Sequence, residues 1–333
     1  MMRDRIGFGI VGSGMGHNRA RIVARTEGAR LAAICTLDIP RGQRIAEELG
    51  CDLITSYEDM LARDDIDVVG ILTPSGLHGE FAIKAMKAGK HVFVTKPMEI
   101  TVEKCDEMIR VAKETGRILA VDFDLRYSPI NHKVRRAIGD GKLGKIFLGD
   151  LRMKWYRSQE YYDGGVPAGW RGRKETEGGS AANQGVHFID LLQWWLGPVR
   201  SVYGRIGTLT HKIETEDNAL ALITFENGAW GIIQTSTSVF PDLGTTIEIS
   251  GDRGTIVWKD NQVTLFKTMD EESPSLDLYE LDQDMPKNII EDMIAAIIKG
   301  KEPLCPPEEG RKSVAVFCGI YESARTGKVV EIR

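Results

Sequence analysis

The sequence predicts an α/β protein in two parts: an N-terminal Rossmann-type doubly wound parallel sheet, then an α+β domain with a large, mainly antiparallel sheet. Three observations carry this. A short apolar run, Ile6 to Val11, ends in the glycine turn Gly12-Ser13-Gly14-Met15-Gly16 and passes at once into a helix-like segment. Strand and helix patterns then alternate about six times over roughly the first 120 residues, the signature of a parallel sheet covered on both faces. After Asp122 the pattern changes, and strand signals follow one another with turns such as Glu226-Asn227-Gly228 between them.

The first half is read in order as follows. The opening helix continues through Ala20 to Thr26. Arg30–Leu37 is a second apolar strand, Ile39–Leu49 a helix ended by Gly50, and Leu53-Ile54 a short third strand. Tyr57–Ala62 is helical, and Val68–Leu72 is a β-branched strand. Leu77–Ala88 is a helix stopped by Gly89, and His91–Val94 a fifth strand. Thr101 caps a helix to Thr115 that Gly116 closes, and Ile118–Val121 is the sixth strand.

Parallel sheets bind ligands outside the carboxyl ends of their strands. Four loops lie there: Gly12–Gly16, Thr36–Asp38, Thr73–His78 (with Pro74) and Thr95–Pro97. In the first, Gly12 permits a tight turn, Gly14 admits a pyrophosphate to the backbone, and the amides of the first helical turn face the anion. The G-x-G-x-x-G spacing would place its third glycine at position 17, where His17 stands; Gly16 is one place early. At the end of the second strand, Thr36 with Arg41 suits the 2′-phosphate of NADP, the slightly favoured choice. Asp38 reaching the ribose hydroxyls suits NAD, and Asp38 reads equally well as a helix N-cap.

The second half begins with a basic helix, Pro129–Asp140, and an alternating strand, Ile146–Trp155. Arg157–Glu177 is a long polar segment rich in glycine and tyrosine, too long for a routine connection. Gly178–Asn183 leads into a helix over Gln184–Leu196. Strands follow at Val199–Thr210, Asn218–Glu226, Ala229–Ser238, Thr245–Gly251, Thr255–Trp258 and Val263–Lys267, then helices at Asn288–Lys299 and Glu308–Thr326. The expected domains are residues 1–123 and 124–333.

Composition bounds the function. The chain has 333 residues, 42% hydrophobic and 27% charged, with a net charge of −5, so it carries no basic field for nucleic acid or anionic lipid. No run is long enough to span a bilayer, and no signal-peptide pattern opens the sequence. Five scattered cysteines without C-x-x-C fit reduced thiols in a cytoplasm, and the six histidines show no zinc spacing, so no metal is expected.

Two stretches carry chemistry. In Ala88-Gly89-Lys90-His91-Val92-Phe93-Val94-Thr95-Lys96-Pro97, Lys96 falls just past a strand on the cofactor side, where an ammonium can meet a substrate hydroxyl. In Gly178-Gly179-Ser180-Ala181-Ala182-Asn183-Gln184-Gly185-Val186-His187-Phe188-Ile189-Asp190, Asn183 and His187 are four apart and share a helix face, and Asp190 can orient the imidazole. Taken singly, Lys96 reads as a solvated lysine and His187 as a satisfied helix histidine. Tyr161, Trp170 and Arg171 of the long segment, with Arg157 and Tyr162, are candidates to grip sugar hydroxyls, and Arg171 or Arg173 to meet a carboxylate or phosphate.

At these residues the sequence resembles the Gfo/Idh/MocA oxidoreductases almost end to end. The likeness rests on the glycine loop, Thr73-Pro74 with His78, Ala88–His91 leading to Lys96-Pro97, and Arg126-Tyr127 with Pro129. It continues in Gly178–Asp190 and in Glu308–Arg311 with Tyr321–Ala324. The resemblance implies hydride transfer between NAD or NADP and a secondary alcohol or ketone of a sugar, sugar acid or cyclitol. It implies Lys96 and His187 as the catalytic pair, Asn183 where many relatives carry aspartate, and Arg126 among the substrate residues. It also implies a homodimer or homotetramer through the C-terminal sheet. Thr95 replaces the usual glutamate before Lys-Pro, and Ala20 stands near the usual downstream helix histidine. Two further functions fit the same fold: a glycosidase or epimerase-like enzyme with transient redox, and a non-catalytic NAD(P)-binding regulator.

Overall fold

The computed structural model describes residues 5–270 and 274–332. The start of the first expected domain (residues 1–4) and the end of the second (residue 333) lie outside the described residues. Backbone contacts divide the chain into two compact units. The first comprises Met1–Asp122 and Pro286–Arg311, the second Phe123–Met285 and Lys312–Arg333.

In the first unit the elements run β1 (Ile6–Val11), α1 (Met15–Arg25), β2 (Ala29–Cys35), α2 (Ile39–Leu49), β3 (Asp52–Ile54) and α3 (Tyr57–Leu61). They continue with β4 (Val68–Ile71), α4 (His78–Lys87), β5 (His91–Thr95), α5 (Val102–Thr115) and β6 (Leu119–Asp122). The six strands pair in parallel in the order β3-β2-β1-β4-β5-β6, which reverses direction next to β1. Strands β4, β5 and β6 are apolar on both faces because helices cover both; Val68, Val69, Val92, Phe93, Val94, Ala120 and Val121 are fully buried. Gly50 and Gly116 end α2 and α5 in the left-handed conformation, and Thr101 caps α5 through the Lys104 amide, as the sequence predicts.

The second unit opens with α6 (Pro129–Gly139), β7 (Ile146–Lys154), α7 (Gln159–Asp163) and α8 (Val186–Leu196). Then come β8 (Val199–Gly207), β9 (Asn218–Phe225), β10 (Trp230–Ser236), β11 (Gly244–Gly251), β12 (Gly254–Lys259) and β13 (Gln262–Thr268). Helix α9 (Ile289–Lys299) belongs to the first unit, α10 (Pro307–Thr326) begins there and continues in the second, and β14 (Val330–Glu331) ends the chain. The eight strands run β13-β12-β11-β7-β10-β9-β8-β14; only β7 and β10 pair in parallel. The inner face buries Leu151, Met153, Ala219, Ala221, Ile223, Ile233, Ile247 and Ile249. Helix α8 is buried almost all round, His187 being the exception along its length.

Three differences from the sequence reading have physical causes. Residues 286–311 return to the first unit because the Val121 amide donates to the Cys305 carbonyl and Arg311 pairs with Asp106. The long polar segment holds α7 and a short 3₁₀ turn, Trp170–Gly172. The helix expected from Gln184 begins at Val186, and Ser180–Gly185 is a wide π-turn. There the Ser180 amide donates to the Glu216 carbonyl and the Ala181 amide to the Glu216 carboxylate, which anchors the start of the turn. Among the described residues no helix is long and apolar enough to cross a membrane.

Candidate active site

The first unit supplies a dinucleotide cradle. Gly12 has φ +99° and its amide donates to the Cys35 carbonyl; a Cβ there would lie 2.4 Å from the Leu72 carbonyl oxygen, so only glycine fits. Gly14 is the N-cap of α1, and a Cβ on it would meet nothing, leaving open space over the first helical turn. Gly16 is buried, and its Cβ would lie 3.1 Å from Ile10 Cγ2. The close helix–strand packing that the third fingerprint glycine provides is therefore made by Gly16. His17 is free of that duty: its Nε2 lies 2.9 Å from Glu48 Oε2, and Arg21 Nε donates to the same carboxylate at 2.7 Å. Met15, beside the turn, is exposed.

At the end of β2, Thr36 is buried and its hydroxyl donates to Ser13 Oγ at 3.1 Å, tying this loop to the glycine turn. Asp38 is the N-cap of α2: Oδ1 accepts the Arg41 amide at 3.2 Å, while Arg41 is exposed in the first helical turn. Beyond β4, His78 is fully buried between two loops, with Nδ1 2.9 Å from the Pro97 carbonyl and Nε2 2.9 Å from the Thr73 carbonyl. Burial holds this imidazole below its ordinary pKa. His78 thus joins the Thr73-Pro74 and Lys96-Pro97 loops rather than offering its ring to a ligand. Thr95 is in register with Asp122, which pairs with Arg19 of α1 in a buried ion pair. Lys96 follows Thr95 and is half-buried. The Thr73 hydroxyl oxygen is buried without a hydrogen-bond partner among the described residues. An orphaned hydroxyl beside an open helix N-terminus and a tight glycine turn fits a dinucleotide, whose pyrophosphate and amide groups need such donors and acceptors.

The second unit supplies a histidine and an arginine–aromatic ladder. His187 is the second residue of α8, with its side chain 18% exposed. Its Nδ1 lies 3.4 Å from Asp124 Oδ1, and its ring packs edge-on to Phe123. Asp190 is committed elsewhere: both oxygens accept from Arg126, Nε and Nη2 each at 2.8 Å, and Ser313 Oγ donates to Oδ1 at 3.3 Å. The expected orienting role therefore falls to Asp124. Arg126, expected at the substrate, is sealed in that ion pair, its side chain 2% exposed and its guanidinium 5.4 Å from the Trp194 ring. Asn183 sits in the π-turn Ser180–Gly185, before the α-helix that carries His187, so the two do not share one regular α-helical face.

The Arg171 guanidinium stacks 4.9 Å from the Tyr161 ring and 4.7 Å from the Trp170 ring; that of Arg157 stacks 5.0 Å from Trp155 and 5.6 Å from Tyr161. Gln184 Nε2 donates to the Tyr161 hydroxyl at 2.9 Å, and burial pushes that phenol's pKa up. Arg173 is exposed and donates weakly to the Ala168 carbonyl at 3.4 Å. The sequence reading gave Asp124, Gln184 and the acidic pair Glu216-Asp217 no role; Asp124, Gln184 and Glu216 are each defined by a partner far along the chain, and Asp217 by the amides of Leu209, Thr210 and His211.

A parallel sheet with a glycine turn, a helix N-terminus and an orphaned hydroxyl at its carboxyl edge makes a nicotinamide dinucleotide domain. Residues 6–123 match the family description "Oxidoreductase family, NAD-binding Rossmann fold", and residues 135–332 match "Oxidoreductase family, C-terminal alpha/beta domain". The chain belongs to the Gfo/Idh/MocA family of oxidoreductases acting on CH–OH groups. It is similar to the WlbA dehydrogenase of Bordetella pertussis, solved with NADH and UDP-GlcNAcA, at 31% identity and a TM-score of 0.91, covering 100% of this chain and 99% of that one. It is also 28% identical to the 1,5-anhydro-D-fructose reductase of Ensifer adhaerens over 324 residues, 92% of each protein. A third likeness, 31% over 236 residues, is to the 2,7-anhydro-N-acetylneuraminate hydratase of Mediterraneibacter gnavus; it covers 69% of this chain and spans 61% of that protein's length.

Proposed function

We propose that this enzyme transfers hydride between NAD(H) and a secondary alcohol or ketone of an anionic sugar, one bearing a carboxylate or a diphosphate. The observation that carries the substrate class is the pair Arg157 and Arg171. Each guanidinium is stacked on aromatic faces, and each has five N–H donors in a planar fork. Among the described residues each guanidinium donates one side-chain hydrogen bond, Arg157 to the Tyr156 carbonyl and Arg171 to the Tyr161 carbonyl, so their planar edges suit bidentate oxyanion recognition. The WlbA likeness, with its UDP-linked sugar acid, supports the same class.

Gly12, Ser13, Gly14, Met15, Gly16 and His17 would cradle the pyrophosphate, and Thr73, Pro74, Thr95 and Pro97 would line the nicotinamide side, with His78 holding their loops. Thr36, Asp38 and Arg41 would meet the adenosine ribose. The NADH of the relative and the second carboxylate oxygen of Asp38 favour NAD over the NADP that Arg41 suggests. When bound, the nicotinamide supplies the hydride acceptor and donor. Neutral His187 takes the hydroxyl proton in oxidation and returns it in reduction. Lys96 donates a hydrogen bond to the reacting oxygen and stabilises its developing negative charge. Asn183 fixes a substrate hydroxyl through neutral hydrogen bonds, and Tyr161 and Trp170 hold the flat faces of the sugar or its substituent.

The test mixes the purified chain with NAD or NADP and UDP-GlcNAcA, UDP-GlcNAc or myo-inositol, and follows nicotinamide reduction. The expected result is preference for NAD and for the uronate; Arg171→Ala raises the uronate KM about tenfold with kcat within about twofold. Turnover of myo-inositol equal to that of the uronate, or a preference untouched by Arg171→Ala, overturns the substrate class. The hydratase likeness favours one second reading, transient redox within a single turnover. Under that reading substrate is consumed without net reduced nucleotide.

The chain is also proposed to form a homodimer or homotetramer, in the cytoplasm, through the outer face of its eight-stranded sheet. There Leu220, Leu222 and Trp230 stand 55%, 62% and 69% exposed, with Tyr203 beside Leu222 in register. A contiguous apolar patch of this kind needs a cover. Leu222→Glu is expected to shift the sedimentation coefficient to that of a monomer; a wild-type chain already monomeric would refute the interface.

A further inference from the structure

Two consecutive acids, Glu216 and Asp217, lie immediately before β9, both buried, and the site chemistry described above uses neither. The two acids serve different segments, Glu216 the Ser180-Ala181 amides and Asp217 those of Leu209–His211.

Glu216 serves the π-turn. Its Oε1 accepts the Ala181 amide at 2.8 Å and the Ser180 hydroxyl at 3.3 Å, and its backbone carbonyl accepts the Ser180 amide at 2.9 Å. The Tyr321 hydroxyl donates to the same carboxylate and accepts the Gly179 amide at 3.2 Å. The fit is tight: a Cβ on Gly179 would fall 1.5 Å from Glu216 Oε2. Burial pushes this carboxyl up to about 7, against the hydrogen bonds from the Ala181 amide, Tyr321 and Ser180 that favour its charge.

Asp217 serves the Leu209–His211 segment. It accepts the amides of Leu209, Thr210 and His211 at 2.7, 2.9 and 3.0 Å, and the Asn218 side chain at 2.9 Å. Burial opposes its charge, and these donors outweigh burial, holding it well below the usual carboxylate range. His211 Nδ1 lies 3.0 Å from Asp217 Oδ2, and its Nε2 lies 2.8 Å from the Arg157 carbonyl. A carbonyl only accepts, so Nε2 donates to Arg157. The imidazole also packs 4.8 Å from the Tyr162 ring, in α7.

We infer that Glu216-Asp217 is a divided bracket: Glu216 positions the turn that bears Asn183 and enters His187, and Asp217, through His211, positions the backbone that bears Arg157. This rests on the roles given above to His187 and Arg157. Glu216, Asp217 and His211 are positioning residues and touch no substrate.

The test has a readout that needs no substrate, hydrogen exchange of the full chain followed by mass spectrometry on peptides. Glu216→Ala is expected to speed exchange over residues 179–183 about tenfold and to leave 157–163 within about twofold. His211→Ala is expected to do the reverse. Glu216→Gln, which keeps an acceptor for the Ala181 amide, loosens 179–183 less than alanine does. On whichever sugar is turned over, Glu216→Ala lowers kcat about tenfold with KM little changed, whereas His211→Ala raises KM about tenfold with kcat little changed. If the variants loosen the same segments, or if each moves kcat and KM together, the bracket is refuted. A clean split in exchange with no anionic sugar turned over leaves the bracket standing and removes the functional reading instead.

Discussion

Replacing His187 by asparagine is expected to lower kcat by about 10²–10⁴-fold, the usual contribution of a positioned general base. Asparagine keeps polarity and approximate size at the second position of α8 and cannot carry the proton. NADH binding, followed by nicotinamide fluorescence, is expected to stay within about twofold, because the cradle is built from β1, α1 and the loops after β4 and β5. The pH dependence of kcat should lose one ionisation in the variant. Asp124→Asn should then show a smaller loss, about tenfold, since it acts through the imidazole at 3.4 Å and not on the substrate. A His187→Asn enzyme with kcat within tenfold of wild type would mean that another group moves the proton, and the assignment would have to be abandoned.

The first unit was legible because its rules are local. Apolar runs, Thr101 as a cap, and Gly50 and Gly116 as stops each act over a few residues, and the structure places those elements within a residue or two of the sequence reading. Even the off-register glycine turn has a local answer: Gly16 packs on Ile10, and His17 turns to Glu48. What the sequence hides is buried polar pairing across long separations. Asp190 is three residues from His187, yet its carboxylate is claimed by Arg126, 64 residues earlier. The wide turn at Ser180–Gly185 is anchored at its start by Glu216, about one full strand and loop away, which takes the Ser180 and Ala181 amides. Helical periodicity sees none of this, so Asn183 and His187 read as neighbours on one regular face. The return of residues 286–311 to the first unit escapes for the same reason: it depends on a backbone hydrogen bond from Val121 to Cys305.

The Arg126–Asp190 pair yields the second large effect, on stability. Arg126→Ala is expected to destabilise the second unit by about 3–5 kcal/mol, because it strands a carboxylate that is 1% exposed in a low-dielectric core. The gain from the intact pair is smaller than that loss, since both ions were taken out of water to form it. The double variant Arg126→Met with Asp190→Leu, which removes both charges and keeps the volume, should therefore recover most of the stability in urea unfolding. Its activity should not recover with it. The bidentate bond anchors the 3₁₀ turn Asp124–Tyr127 to α8, and that turn carries Asp124 to His187. An apolar pair restores packing without fixing the direction of the turn, so kcat is expected to stay about tenfold or more below wild type at full folding. Recovery of both stability and kcat in the double variant would show that packing alone sets the histidine. Recovery of neither would show that the charge pair is needed for the fold itself, through the Ser313 and Trp194 contacts that surround it.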